Sequence, residues 1–282
     1  MSREDRFVEF VGNLWKNHRK CFRYSERPWI RKITNREEKI FAIVLRTLIC
    51  NEQCEQQLVQ KEFGAFRETR KKFLELGEDG FKDWTKEKIK SIPFGIDENG
   101  KPWRGAHRDN RHKPDFPRAL SEYMQLVGRS QIQFFDRFSD FDSAFKEIKH
   151  IHSLGNLTSF DILERLYRTE ENLEAKPFQY HPERFYLTGG GVSRGLRKIY
   201  AYMSSNRELE EQGNILVHKI IEEFDVAKEI VYYEVENTLC IYQKDKYPNY
   251  IKSEHLLNGC FKPKEFADIY AQKYCKSNKT VC

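Results

Sequence analysis

The chain has 282 residues, a length that suits one large domain or two closely packed ones. Aromatic residues make up 14% of it, with 21 Phe and 14 Tyr, which excludes a disordered chain and favours a core built on rings. A net charge of +6 permits an anionic partner such as nucleic acid without requiring one.

The N-terminal residues and the cysteines predict the cellular compartment of the protein. Residues 1–7 contain no apolar core of a signal peptide, and the apolar run 41–45 is interrupted by Arg46, well short of a membrane span. The seven Cys are odd in number and lack close paired spacings, which is typical of reduced thiols. Cys50 and Cys54 predict a buried pair and not a zinc site. We expect a cytoplasmic monomer without metal, cofactor or membrane contact.

Hydrophobic periodicity predicts a helix close to the N-terminus and a second one in the core. The second helix follows Asn35, a plausible N-cap with Glu38 three residues on, and reaches Ile49 with an extension to Val59 left open. It is apolar on most sides, which predicts a central position. The first helix is amphipathic and carries Phe7, Phe10, Val11, Leu14 and Trp15.

The rest of the chain also predicts helices, with few strand signals. Gly77 is predicted to end a helix over 63–76, and the prolines and glycines of 91–117 exclude long regular structure. A short hairpin is predicted at 153–156. Helical periodicity covers 117–126, 131–138, 141–151, 157–167, 194–203, 208–224, 227–240 and 263–274. The sequence therefore predicts a mainly helical fold.

Residues 186–196, Tyr-Leu-Thr-Gly-Gly-Gly-Val-Ser-Arg-Gly-Leu, are the most distinctive segment. The consecutive glycines at 189–191 leave the backbone bare and can reach φ > 0, and a basic helix is predicted to begin near Ser193. A glycine-rich turn that leads into a basic helix can bind phosphate. The alternative is a tight turn between helices.

A basic loop, defined as residues 95–118, interleaves cations with one tryptophan. Cations on a loop can follow phosphates, and a ring can stack on an unpaired base. The alternative is a solvated surface loop that the tryptophan anchors to the core. The candidate DNA-binding residues are Trp103, Arg104, Arg108, Arg111 and Lys113.

The segment 152–161 has the pattern of a helix, a short hairpin and a second helix. In helix-hairpin-helix DNA binders the hairpin amides bind a backbone phosphate, which makes Gly155 and Asn156 candidates, although such hairpins usually carry two glycines. Asp161 is predicted one turn into the second helix. It is either a helix-start carboxylate favoured by the macrodipole or a catalytic carboxylate beside the phosphate.

Residues 235–247 form a third candidate. Glu236 and Cys240 are four residues apart and share one helix face. An inward-facing Glu236 needs a partner, which Arg194 could supply. The alternative is a surface glutamate above an inert buried thiol.

Three segments together resemble the alpha-glutamyl/putrescinyl thymine pyrophosphorylase family. They are Leu-Thr-Ser-Phe-Asp-Ile-Leu at 157–163, Gly-Gly-Gly-Val-Ser-Arg-Gly-Leu at 189–196, and Val-Glu-Asn-Thr-Leu-Cys at 235–240 followed by Lys246. The resemblance covers roughly the C-terminal half of the chain. It implies a helix-hairpin-helix DNA glycosylase-like fold over 129–282, preceded by a helical region over 1–128, in one compact unit.

The family is linked to hypermodified pyrimidines of phage DNA, and the resemblance leaves three functions open. We favour a DNA glycosylase that excises a bulky modified pyrimidine, such as glucosylated 5-hydroxymethylcytosine, in defence against phage. The second is a transferase that replaces pyrophosphate on 5-hydroxymethyluracil in DNA with an amine. The third is a non-catalytic DNA-binding module.

The resemblance also implies roles for single residues. In a glycosylase the target base leaves the stack, and Asp161 stabilises the oxocarbenium-like sugar and activates water. In the transferase Asp161 would deprotonate the amine. The substrate-binding residues expected from the resemblance are Gly189, Gly190, Gly191, Arg194, Gly195, Glu236 and Lys246.

Overall fold

The computed structural model describes residues 2–17, 28–49, 62–90, 115–169, 180–224 and 228–243. Within these ranges the chain is mainly helical, which confirms the predicted fold class, while the helix-hairpin-helix glycosylase-like arrangement stays a prediction. None of the helices in the described ranges is both long and apolar enough to cross a membrane. The helices are α1 (Arg3–Asn17), α2 (Pro28–Arg31), α3 (Arg36–Ile49), α4 (Phe66–Lys88), α5 (Phe116–Val127), α6 (Gln131–Asp136), α7 (Phe141–Ile148), α8 (Gly155–Thr169), α9 (Gly190–Ile199), α10 (Asn206–Phe224) and α11 (Lys228–Tyr242).

The contacts within the chain divide it into two compact units. Unit 1 comprises Met1–Ser25 and His181–Cys282, and it contains α1 and α9 to α11. Unit 2 comprises Glu26–Tyr180 and contains α2 to α8. The expected division of the chain at residue 128 stays a prediction.

Unit 1 is built around α11, which packs against α1, α9 and α10. The segment 231–236 is buried along its whole length, because neighbouring helices cover α11 on several sides. The apolar face of α1 contributes Phe7 and Phe10, whose ring centroids lie 5.0 and 5.1 Å from that of Tyr242. This face confirms the predicted amphipathic first helix.

Unit 2 is built around α3, which packs against α2, α4, α5, α6 and α8. The side chain of Asn35 accepts a hydrogen bond from the Glu38 amide at 3.1 Å, which confirms the predicted N-cap. Every residue from Ile40 to Leu45 is 0% exposed, as expected for a central helix. The sequence therefore predicted both the start and the position of α3.

Two connections differ from the prediction. Gly77 does interrupt the helix, with φ +66°, but α4 resumes and continues to Lys88. Residues 153–156 do not form a separate hairpin, because α8 already begins at Gly155. The turn before it requires left-handed backbone at Ser153 (φ +62°) and Gly155 (φ +50°).

Candidate functional site

The glycine-rich segment enters α9 directly. Gly189 is the N-cap in extended conformation (φ −176°), and α9 begins at Gly190, three residues earlier than expected. The positive-φ glycines of the described chain lie elsewhere, so the left-handed backbone that these glycines permit is not adopted at 189–191. The physical reason is that the glycines serve the start and the packing of a helix.

Two of the glycines allow α9 to approach α11 closely. A Cβ on Gly191 would lie 2.6 Å from Sγ of the buried Cys240, and a Cβ on Gly195 would lie 2.4 Å from the carbonyl oxygen of Leu239. A Cβ atom does not come this close to another heavy atom in real proteins, so a side chain at either position would push the helices apart. Gly191 and Gly195 therefore face α11.

The other two glycines leave the N-terminus of α9 open. A Cβ on Gly189 would meet nothing within 4 Å, and one on Gly190 would meet only the end of the Arg194 side chain at 3.3 Å. Gly189 provides no side-chain hydrogen bond to the first amides of α9, although Ser, Thr, Asp or Asn is preferred at an N-cap. The first N–H groups of the helix thus keep their capacity to bind an anion.

Side chains of α10 and α11 fix the segment before α9. Asn214 accepts a hydrogen bond from the Phe185 amide at 2.7 Å, and Glu210 accepts one from the Leu187 amide at 3.1 Å. The buried hydroxyl of Thr188 donates to Glu236 at 2.5 Å. Glu236 is thereby held beside the residue that precedes Gly189.

Glu236 and Arg194 have different partners. Arg194 is exposed and donates its Nε to Oε1 of Gln243 at 3.0 Å, whereas Glu236 is 2% exposed and accepts from Thr188. The i,i+4 arrangement of Glu236 and Cys240 on one helix is confirmed, and both side chains are buried. Glu236 is therefore not the surface glutamate of the alternative interpretation.

In unit 2, α8 carries the other candidates. Gly155 and Asn156 are exposed in its first turn. Asp161 lies six residues after the first residue of α8 and is 0% exposed. The helix dipole acts mainly within the first turn, so a macrodipole contact does not explain a buried carboxylate at this depth.

Asp161 is part of a set of buried charged side chains on α8 and α3, two helices that pack against each other. Burying a charge is costly unless it is paired, and opposite charges on packed helices offset that cost. The set comprises Asp161, Glu164 and Arg165 on α8 and Lys39 and Arg46 on α3, all at most 8% exposed. These buried charges make α8 a candidate for the functional residues of unit 2.

A side chain of α5 holds the connection between α7 and α8 in place. Glu122 accepts a hydrogen bond from the His152 amide at 2.6 Å and one from Nε of Arg118 at 2.8 Å. Burial opposes ionisation of Glu122, but these hydrogen bonds outweigh it and lower its pKa. The ring of His152 also lies 3.1 Å from Asp115, so the turn before α8 is held on both sides.

Several predicted features lie outside the described residues. They are Trp103, Arg104, Arg108, Arg111, Lys113, Lys246, Cys50, Cys54, the extension to Val59 and the helix over 263–274. Their roles stay predictions.

The sequence analysis missed the buried charges Lys39, Arg165 and Glu234, and it treated Arg46 only as an interruption of an apolar run. Glu234 is 3% exposed on α11. A signal was present, because Lys39 and Arg46 are seven residues apart, lie on one line of the helix, and flank the apolar residues 40–45.

Comparison with known proteins identifies the family. A family model described as amino acid:DNA transferase matches residues 17–251, which is most of the chain. Neither a search of curated proteins nor one of solved structures found a match. The predicted glycosylase activity is therefore wrong, since a transferase adds a group to DNA whereas a glycosylase breaks the bond between base and sugar. The chain belongs to the amino acid:DNA transferase family.

Proposed function

We propose that the protein joins an amine, of the amino-acid class named by its family, to a pyrimidine of DNA that carries a pyrophosphorylated 5-hydroxymethyl group. The amine nitrogen attacks the 5-methylene carbon, the carbon–oxygen bond to pyrophosphate breaks, and the nitrogen loses a proton. The base leaves the stack to react. Family membership supports the transfer of an amine to DNA. The open N-terminus of α9 supports pyrophosphate as the leaving group, because it can bind an anion.

Pyrophosphate leaves as a polyanion, so the reaction needs a site that stabilises negative charge as it develops. The amides at the start of α9 point at such a group, and the bare N-cap at Gly189 leaves room for it. Arg194 lies one turn further along the same helix and adds a positive charge. The uncapped start of α9, with Arg194 one turn further on, is the main observation in favour of this function.

The attacking amine must lose a proton to a base. We assign this role to Asp161, because it is a carboxylate buried in the second turn of α8, in the same helix as the buried charges of Glu164 and Arg165. Glu236 is assigned to substrate binding, since Thr188 holds it beside the N-cap of α9.

The experiment supplies the protein with DNA containing pyrophosphorylated 5-hydroxymethyluracil and a mixture of amino acids and polyamines. Mass spectrometry of the digested nucleosides is expected to show a base that has gained one amine, together with released pyrophosphate. DNA with unmodified thymine is the control. Abasic sites, or an unchanged base with every amine, would contradict the proposal.

Replacing Gly189 by Ser tests the anion site. Serine at an N-cap accepts a hydrogen bond from the helix amides, so the variant should fold with an unchanged or slightly higher Tm. The same hydroxyl competes with pyrophosphate for those amides. One lost hydrogen bond to a charged group costs about 1.5–3 kcal/mol, so we expect kcat/KM to fall about ten- to a hundredfold.

The matched control is Gly189→Ala, which adds a Cβ into open space but no acceptor. This variant is expected to keep transfer close to the wild-type rate. If Gly189→Ser is as active as Gly189→Ala, the N-terminus of α9 binds no leaving group.

A further inference from the structure

The exposed side of α9 carries three cations. Arg194, Arg197 and Lys198 follow a spacing of three and four residues and therefore share one face, which we call the basic face of α9. All three are exposed, whereas Val192, Leu196 and Ile199 on the opposite side are buried. The buried side packs into unit 1 and orients the basic face toward solvent.

Neutral groups hold two of these cations in place. Nε of Arg194 donates to Gln243, and Nζ of Lys198 donates to the carbonyl oxygen of Tyr242 at 3.3 Å while lying 5.2 Å from the centroid of its ring. Within the described ranges no carboxylate forms an ion pair with Arg194 or Arg197. The positive charges of these two side chains are therefore not neutralised by ion pairs there.

Two carboxylates of α10, which packs against α9, have partners of their own. Glu208 accepts hydrogen bonds from the amides of Ser204 and Ser205, which caps α10. Glu211 pairs with Arg207 at 3.0 Å. Neither carboxylate forms an ion pair with Arg194 or Arg197.

A tyrosine follows the basic face directly. Tyr202 lies in the turn after α9, where the Met203 amide donates to the carbonyl oxygen of Tyr200 at 3.3 Å. Its side chain is 97% exposed, far more than the other exposed large apolar side chains, Leu74, Leu76 and Ile215. A ring that packs against almost nothing in its own chain can stack on an unpaired base.

We propose that the basic face of α9 and Tyr202 form the surface of unit 1 that binds the DNA substrate. Arg197 and Lys198 contact backbone phosphates of one strand, and Tyr202 stacks on an unpaired base of that strand. From Gly190 to Lys198 the helix rises about 12 Å, which matches a few consecutive phosphates. The proposal rests on the DNA substrate of the family and is independent of the pyrophosphate leaving group.

The test measures binding of the full chain to a fluorescent, unmodified 20-nucleotide single strand by anisotropy over a range of salt concentrations. Tyr202→Ala is expected to weaken binding about fivefold or more, and Tyr202→Phe to bind like the wild type because it keeps the ring. Arg197→Gln is expected to lower the slope of log K against log salt by about 0.7, the value for one phosphate contact on a single strand.

Two controls are matched for exposure. Arg207→Gln removes an exposed cation of unit 1 that is already paired with Glu211, and Leu74→Ala removes an exposed apolar side chain of unit 2. Both are expected to bind like the wild type.

Equal binding by wild type, Tyr202→Ala and Arg197→Gln would overturn the proposal, as would a wild type that does not bind the strand. A loss in Tyr202→Phe as large as in Tyr202→Ala would overturn the stacking role. Since the strand carries no pyrophosphate, failure of the proposed transfer would leave these results unchanged.

Discussion

Replacing Asp161 by Asn is expected to lower the rate of amine transfer by about a hundredfold or more. The substitution keeps size and polarity but removes the negative charge and the ability to take a proton from the amine. A positioned general base contributes about a hundredfold to ten-thousandfold in rate. The measurement is single-turnover formation of the amine adduct, with DNA binding and Tm determined alongside.

Glu164→Gln is the matched control, because Glu164 is also a buried carboxylate on α8 and is 1% exposed. Both substitutions disturb a buried charge and are expected to lower stability. Only Asp161→Asn is expected to lower the rate of amine transfer when all of the protein is bound to DNA. Near-normal transfer by Asp161→Asn would refute its role, and a selective loss in Glu164→Gln would assign the role to that residue.

Replacing Gly195 by Ala is expected to destabilise unit 1. The new Cβ would lie 2.4 Å from the carbonyl oxygen of Leu239 and 2.9 Å from its carbon, and backbone atoms inside a helix cannot move aside alone. Overpacking of this kind costs about 1–3 kcal/mol or more. For a protein of this size that corresponds to a fall in Tm of several degrees, measured by thermal unfolding.

Gly190→Ala serves as the reference for this comparison. Both substitutions add one methyl group within α9 and gain the same helix propensity of up to about 1 kcal/mol. At Gly190 the new Cβ meets only the flexible end of Arg194, so we expect little loss of stability. Equal Tm values for the two variants would show that α9 and α11 are not packed through Gly195.

Local signals were sufficient where neighbouring residues decide the structure. Asn35 and Glu38 predicted the start of α3, and the apolar run after them predicted its burial, because capping and periodicity act over one or two turns. The start of α8 was predicted two residues too late, so Asp161 was placed closer to the start of the helix than it is.

The role of the glycines could not be derived from their own segment. A glycine-rich stretch shows that something approaches the backbone, but not that at Gly195 it is the main chain of Leu239 from a distant helix. In the same way, the burial of Lys39 and Arg46 depends on the helices that pack against α3, which are distant in sequence. The resemblance identified the right family but favoured the wrong reaction within it.

The division into two units has a consequence for biosynthesis. Unit 2 is continuous in sequence and can fold as soon as it has left the ribosome, whereas unit 1 needs α1 together with α9, α10 and α11. At about 5–20 residues per second, α1 is synthesised on the order of ten seconds before its partners exist. During that interval the Phe7 and Phe10 side chains have no native cover, so nascent α1 is an expected site for chaperone binding.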